Sequence, residues 1–212
     1  MKSNWYKSLE LFILFVLLPV SLALPFDYKI KGIITLLGFF YLLFVMLRIE
    51  KVSFKINKGL DWKLFWKRIA LLFLGIAAIT TGYVYFIDAN KLFCIPLTKP
   101  GLWVIILLIY TFLSVWPQEL IYRTFFFTRY ERLFENKKLF IFVNAILFSL
   151  AHIFFRNTLV IVLTFVGGLL FGFTYLKTKS TLLVSIEHAI YGNWLFTVGM
   201  GQMLAFPGME SC

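Results

Sequence analysis

Charge is scarce in this sequence, and so are the residues that usually hold metals or form disulfides. Charged residues make up 15% of the 212 positions, and cysteine and histidine occur twice each. Two cysteines are too few for the disulfide framework that stabilises small secreted domains. The HExxH pattern that places two zinc ligands on one helix is absent. The low charge also argues against a soluble protein, in which about 25% of residues are charged.

Apolar residues dominate instead: 61% of the chain is hydrophobic and 20% is aromatic. Several apolar runs approach the length of about 20 residues that crosses a bilayer. We therefore predict an all-α fold, a polytopic membrane helical bundle of about seven transmembrane helices. Tryptophans alternate with lysines near residues 58-68, which predicts a short interfacial helix there. The predicted spans are 11–24, 32–47, 69–87, 101–117, 139–155, 158–176 and 181–200.

The formal net charge of +11 fits a membrane protein better than a nucleic-acid-binding one. Most of the Lys and Arg residues lie between the predicted spans, on the side that is cytoplasmic if the N-terminus is inside. We predict a multi-pass protein of the plasma membrane, surrounded by lipids, with a cytoplasmic N-terminus and no nucleic-acid partner. Residues 1-100 would supply N-terminal spans and residues 101-205 a catalytic core, within a single membrane domain.

Glu119 and Arg123 are the first candidates for function. They stand four residues apart, so both lie on one side of a helix. Charged groups inside a bilayer are costly and commonly functional. Pro117, just before them, predicts a kink or a restart of the helix, because proline lacks a backbone donor. A restart would place Glu119 in a first helical turn, where the dipole favours an acid.

Both histidines lie inside apolar segments. His152 falls in the fifth predicted span, and His188 follows Glu187 directly in the seventh. An inside N-terminus puts Pro117 toward the inner side of the membrane and His152 toward the outer side. Asn193 follows His188 by five residues, which only a π-bulge would align on one helical face.

Two chemistries fit this set of polar residues. Amide hydrolysis needs an activated water and donors for the developing oxyanion. Zinc held by His152, His188 and a carboxylate is the competing possibility, with three protein ligands and an open position. No cofactor is expected.

The order of these residues resembles that of the CPBP family, the CAAX proteases and bacteriocin-processing enzymes. Its motifs are Glu-x-x-x-Arg, Phe-x-x-x-His, and a last His with a nearby Asn, and the resemblance covers residues 116–201. These intramembrane endopeptidases include the type II CAAX prenyl proteases. The resemblance implies hydrolysis of a peptide bond in a membrane-associated or lipid-modified peptide or protein.

The resemblance also implies a role for each candidate. Glu119 would act as the base, His152 would share the attacking water, and Arg123 would orient Glu119. His188 and Asn193 would donate hydrogen bonds to the oxyanion.

Gln118 departs from the pattern, because the family's first motif begins with two adjacent glutamates. Glutamine cannot take a proton from water. Glu119 is then the base, or Glu187 replaces the missing carboxylate. Alternatively, the chain is a catalytically silent membrane module with a binding or chaperone role.

Overall fold

Long helices make up most of the computed structural model, which describes residues 4–52 and 59–204. In chain order the helices are α1 (Asn4–Ala23), α2 (Tyr28–Ile49), α3 (Trp62–Lys91), α4 (Cys94–Thr98), α5 (Pro100–Leu133), α6 (Lys137–Phe155), α7 (Thr158–Thr178) and α8 (Thr181–Val198). A 3-10 turn, Gly201–Leu204, follows. Within the described residues, six of these helices, all except α4 and α8, are long and apolar enough to cross a membrane.

Large apolar side chains are exposed along these helices, which is the pattern expected where lipid replaces water. Leu74, Ile79 and Phe112 expose 62%, 74% and 64% of their surfaces. Such surface is unfavourable in water but compatible with hydrocarbon. The chain is therefore an integral membrane protein, and the predicted polytopic helical bundle is confirmed.

The final helix, α8, coincides with the seventh predicted span and is α-helical from Thr181 to Val198. Glu187, His188 and Asn193 lower its mean hydropathy below that of the other long helices. The π-bulge that would align His188 with Asn193 is absent from this helix. The two side chains therefore leave α8 in different directions.

Asparagine and aspartate side chains start four of the helices. Asn136 Oδ1 accepts from the Lys138 N–H at the start of α6, and Asn157 Oδ1 accepts from the Leu159 N–H at the start of α7. Asp27 caps α2 in the same way. These caps satisfy backbone donors that a helix leaves without internal partners.

The segment near 58-68 begins α3. Residues 62–68 form its first two turns, and the Asp61 carboxylate accepts from the Leu64 N–H at 2.9 Å. Trp62 and Trp66 are exposed and Phe65 is buried, so one face of these turns packs inward. Residue 58 lies outside the described residues, as does residue 205 at the end of the predicted core.

Of the kink or restart predicted at Pro117, the restart is wrong, because α5 runs without a break from Pro100 to Leu133. A π-helical turn, Tyr110–Val115, precedes the proline, and the Trp116 N–H bonds to the Thr111 carbonyl five residues back. This wider turn accommodates a residue that cannot donate a backbone hydrogen bond. Glu119 therefore lies within a long helix and not in the first turn of one.

The chain divides into two compact units, Met1–Lys55 with Leu120–Thr181 and Ile56–Glu119 with Leu182–Cys212. In the first unit, α6 and α7 pack closely. A Cβ on Gly168 would lie 2.8 Å from the Ala145 Cα, so only glycine permits this approach. Gly168 thus allows the close contact between these two helices.

A buried ionic cluster also holds the first unit together. The Arg129 guanidinium contacts Glu10 at 2.8 Å and Glu50 at 2.7 Å. The Tyr130 hydroxyl donates to Glu10 at 3.1 Å, and the Tyr41 hydroxyl donates to the same carboxylate. The cluster therefore joins α1, the end of α2 and the last turns of α5.

In the second unit, α8 contacts both α3 and the first part of α5. Trp194 Nε1 donates to Thr80 Oγ1 at 2.9 Å, and Trp103 Nε1 donates to Thr197 Oγ1 at 3.1 Å. Trp103, near the start of α5, thus meets the end of α8. The two helices run antiparallel, as expected of an alternating set of membrane spans.

Candidate active site

Two residues of the π-helical turn in α5 contact α8. The Tyr110 hydroxyl lies 3.1 Å from His188 Nε2. The neighbouring residue, Thr111, accepts a hydrogen bond from Asn193 Nδ2 at 3.0 Å. The π turn thus provides partners for both polar residues that the sequence predicted on this helix, although they leave α8 in different directions.

Glu119 and His188 form the central contact of the second unit. Glu119 Oε1 lies 2.7 Å from His188 Nδ1, and the carboxylate is fully buried while the imidazole is 8% exposed. An ionised carboxylate can only accept, so Nδ1 donates to it. A neutral ring in that tautomer carries its lone pair on Nε2, where the Tyr110 hydroxyl can donate. The three side chains form a carboxylate–imidazole–hydroxyl series.

Glu187 faces a different helix from His188. Its Oε1 lies 2.9 Å from Arg68 Nη2 on α3, and it accepts from the Tyr191 hydroxyl at 3.2 Å. Successive residues of a helix point about 100° apart. The carboxylate that contacts His188 is consequently that of Glu119.

Gln118 is tied to its own helix. Its Nε2 donates to Ser114 Oγ, one turn earlier in α5, at 2.8 Å. Its Oε1 is buried and has no hydrogen-bond partner among the described residues. A side-chain amide in this position cannot act as a base at neutral pH.

Arg123 belongs to the first unit and is fully buried there. Its Nη1 donates to Asn144 Oδ1 at 2.9 Å and to the Tyr122 carbonyl at 3.3 Å. The guanidinium also lies over the Phe148 ring, 4.8 Å from its centroid. These contacts with α6 fix the part of α5 that follows Glu119.

His152, also in the first unit, lies in the turn that joins the α-helical part of α6 to its last 3-10 turn. Its Nδ1 lies 2.8 Å from the Phe148 carbonyl. A carbonyl only accepts, so Nδ1 is the donor, and a neutral ring then carries its lone pair on Nε2. The ring also packs edge-on against Phe148 and parallel to Phe155.

The described residues contain no group of three or more His, Cys, Asp or Glu side chains that could hold a metal ion. Both ring nitrogens of His188 contact protein groups, Glu119 at Nδ1 and Tyr110 at Nε2. A zinc ion at this histidine would have to displace one of them. The contacts of His188 are those of a hydrogen-bonded imidazole.

Sequence reasoning missed Tyr110, Arg68 and Asn144. On a regular α-helix, Tyr110 and Glu119 would lie about 180° apart, on opposite faces. The π turn between them takes up one extra residue, which reduces that angle to about 80°. Arg68 and Asn144 are distant in sequence from their partners. Of the three, only Arg68 had a signal, as a charged residue at the start of an apolar run.

Comparison with known proteins agrees with the motifs. The family described as type II CAAX prenyl endopeptidase Rce1-like matches residues 100–195. No curated protein and no solved structure matches the chain. The matched residues include Glu119, His152, His188 and Asn193. The resemblance inferred from the sequence is thus confirmed for residues 100–195, which are similar to this family of CAAX-type endopeptidases.

Proposed function

We propose that this protein is an intramembrane endopeptidase in which Glu119 and His188 together activate a water molecule. The buried 2.7 Å contact between the Glu119 carboxylate and His188 Nδ1 is the observation that carries the proposal. The similarity of residues 100–195 to a family of CAAX-type endopeptidases supports the reaction class. The substrate would be a peptide or a lipid-modified protein that reaches the site from the membrane.

The proposed base differs from the one expected from the sequence: His188 Nε2, instead of Glu119, takes a proton from water while the water oxygen bonds to the scissile carbonyl carbon. The carbonyl π electrons move to its oxygen, which becomes an oxyanion. Glu119 keeps its bond to Nδ1–H and stabilises the imidazolium, as the carboxylate does in a catalytic triad. The C–N bond then breaks, and the Nε2 proton passes to the leaving amine. The products are a carboxylic acid and an amine.

Two residues of the first unit keep the roles proposed from the sequence. His152 would share the attacking water, and its bond to the Phe148 carbonyl supports this because a neutral ring then has its lone pair on Nε2. Arg123 would orient Glu119, which lies four residues earlier on α5. Its bonds to Asn144 and to the Tyr122 carbonyl support that positioning role.

The test is cleavage of quenched-fluorescent peptides by the purified full-length protein in lipid vesicles. One peptide carries a prenylated cysteine and a matched peptide carries a free cysteine. Glu119→Gln should lower kcat/KM by about 10²–10⁴-fold, because an amide cannot stabilise the imidazolium. Cleavage at the wild-type rate by Glu119→Gln would overturn the proposal. The ratio of rates for the two peptides shows whether the lipid is recognised.

A non-enzymatic membrane module remains the second candidate function, and Gln118 favours it. The amide stands where the family has its first glutamate, and it bonds to Ser114. If the wild-type chain cleaves neither peptide and Gln118→Glu does, the chain is a silent member of the family. If the wild type cleaves and Gln118→Ala still cleaves, residue 118 is dispensable and the second candidate is excluded.

A further inference from the structure

The Tyr110 hydroxyl is held beside the imidazole of His188 by contacts on two sides of its ring. The Tyr110 ring meets the His188 ring edge to face, with centroids 6.0 Å apart, and packs on Phe196 with centroids 4.9 Å apart. Phe196 is fully buried. The hydroxyl therefore has a defined position, 3.1 Å from Nε2.

Gly192 provides the space for this hydroxyl. It lies one helical turn after His188 on the same face of α8, and a Cβ at this position would collide with the Tyr110 hydroxyl and ring. Any larger residue at position 192 would displace the tyrosine. The position of the Tyr110 phenol next to His188 therefore depends on the absence of a side chain at Gly192.

Asn193 is directed elsewhere. Its Nδ2 donates to Thr111 Oγ1 at 3.0 Å, and five residues along a regular helix separate its direction from that of His188 by about 140°. The amide expected from the sequence to bind the oxyanion thus contacts α5 instead. From that helix, the Tyr110 hydroxyl lies within hydrogen-bond distance of His188 Nε2, at 3.1 Å.

We propose that Tyr110 is a catalytic residue whose hydroxyl donates the hydrogen bond that stabilises the oxyanion, the role expected of Asn193. This inference rests on the proposed endopeptidase function. Before reaction, the hydroxyl proton is directed at the Nε2 lone pair. When the substrate binds, the hydroxyl turns to the scissile carbonyl oxygen, which leaves the Nε2 lone pair free to take the proton of water. The Tyr110 O–H then donates to the oxyanion that forms. A donor aimed where charge develops stabilises the transition state more than the substrate.

The experiment compares Tyr110→Phe with Asn193→Ala in the vesicle assay, using Tyr85→Phe as the matched control on the exposed side of α3. Tyr110→Phe keeps the ring contacts and removes only the donor. It should lower kcat by about 10²–10³-fold and change KM by less than about threefold, as expected when an interaction exists only in the transition state. Its loss should exceed that of Asn193→Ala at least tenfold.

A peptidyl phosphinate, which carries a tetrahedral anionic oxygen, separates a donor from a structural tyrosine. The second inhibitor is the cleaved peptide product, which has no tetrahedral oxygen. Tyr110→Phe should raise the inhibition constant of the phosphinate by the same factor as it lowers kcat/KM, and it should leave the inhibition constant of the product unchanged. Gly192→Ala displaces the hydroxyl without removing it, so it should also weaken phosphinate inhibition and lower kcat/KM. It replaces Tyr110→Phe in the test if that variant does not accumulate. Equal loss of affinity for both inhibitors would overturn the proposal.

Cleavage by these variants tests the role of Tyr110 separately from the endopeptidase mechanism. If Glu119→Gln abolishes cleavage and Tyr110→Phe cleaves like the wild type, only the role of Tyr110 is refuted. A larger loss for Asn193→Ala than for Tyr110→Phe also refutes it. If Glu119→Gln cleaves like the wild type, the proposed endopeptidase mechanism is refuted itself.

Discussion

Glu187 is bound by Arg68, with 2.9 Å between the carboxylate Oε1 and the guanidinium Nη2, although it precedes His188 directly in the sequence. The chain thus places two buried acids at two different helix contacts of α8, each with its own partner. Glu187 joins α8 to α3, and Glu119 joins α5 to His188. We expect the two acids to respond differently to the same substitution.

Glu187→Gln should lower stability while the folded protein remains active. Arg68 is partly exposed, so the loss should be about 1–3 kcal/mol, seen as a lower midpoint of thermal unfolding in detergent. The rate per folded molecule should stay close to that of the wild type. Glu119→Gln is the matched variant, with the opposite expectation of lost cleavage at near-normal stability. If the Glu187→Gln protein is stable but inactive, the catalytic role has been assigned to the wrong acid.

Arg129→Met should destabilise the first unit strongly. It leaves the Glu10 and Glu50 carboxylates without their buried cation, and breaking such a pair costs about 3–5 kcal/mol. Denaturant unfolding and the amount of protein in the membrane fraction measure the effect. Arg132→Met, at an exposed position three residues later, is the control and should unfold like the wild type. Equal behaviour of the two variants would contradict a stabilising cluster.

Gly168→Ala should destabilise the contact between α6 and α7. The added Cβ would lie 2.8 Å from the Ala145 Cα. A backbone atom cannot move aside by a change of rotamer, as a side chain can. We expect a loss of about 1–3 kcal/mol. Gly75→Ala is the control, because a Cβ at Gly75 has no neighbour within 4 Å among the described residues. A lower unfolding midpoint in both variants would point to a general effect of alanine in these helices.

His152→Ala should abolish cleavage while the protein still accumulates. The ring is partly exposed, and its hydrogen bond is to a carbonyl of its own helix, so little stability depends on it. Loss of a group that holds the attacking water should lower kcat/KM by about 10²-fold or more. Phe154→Ala, in the same turn and exposed, is the control. Wild-type cleavage by His152→Ala would remove this residue from the mechanism.

Hydropathy was sufficient to predict the spans because lipid exposure depends on local composition. The predicted spans 139–155 and 158–176 overlap α6 and α7 almost completely, and Asn157 marks the start of α7 through its cap. Neither feature needs knowledge of which helices are neighbours. The fold class could therefore be read from the sequence.

The partners of the polar residues could not be predicted in the same way. Whether Glu119 and Tyr110 share a face of α5 depends on the π turn between them, and Pro117 alone predicted a break. The sequence does not show that the i+5 hydrogen bond of Trp116 would replace that break. The choice between Glu119 and Glu187 as the partner of His188 also depended on Arg68, which is remote in sequence.

The ionic contacts cross the boundary of the family-matched segment. Arg129 and Glu187 lie inside that segment, whereas Glu10, Glu50 and Arg68 lie in the first hundred residues. A truncated chain limited to the matched segment would bury one cation and one anion without their counter-ions, each at a cost of several kcal/mol. A replacement of the N-terminal helices must therefore supply two acids and an arginine at these contacts.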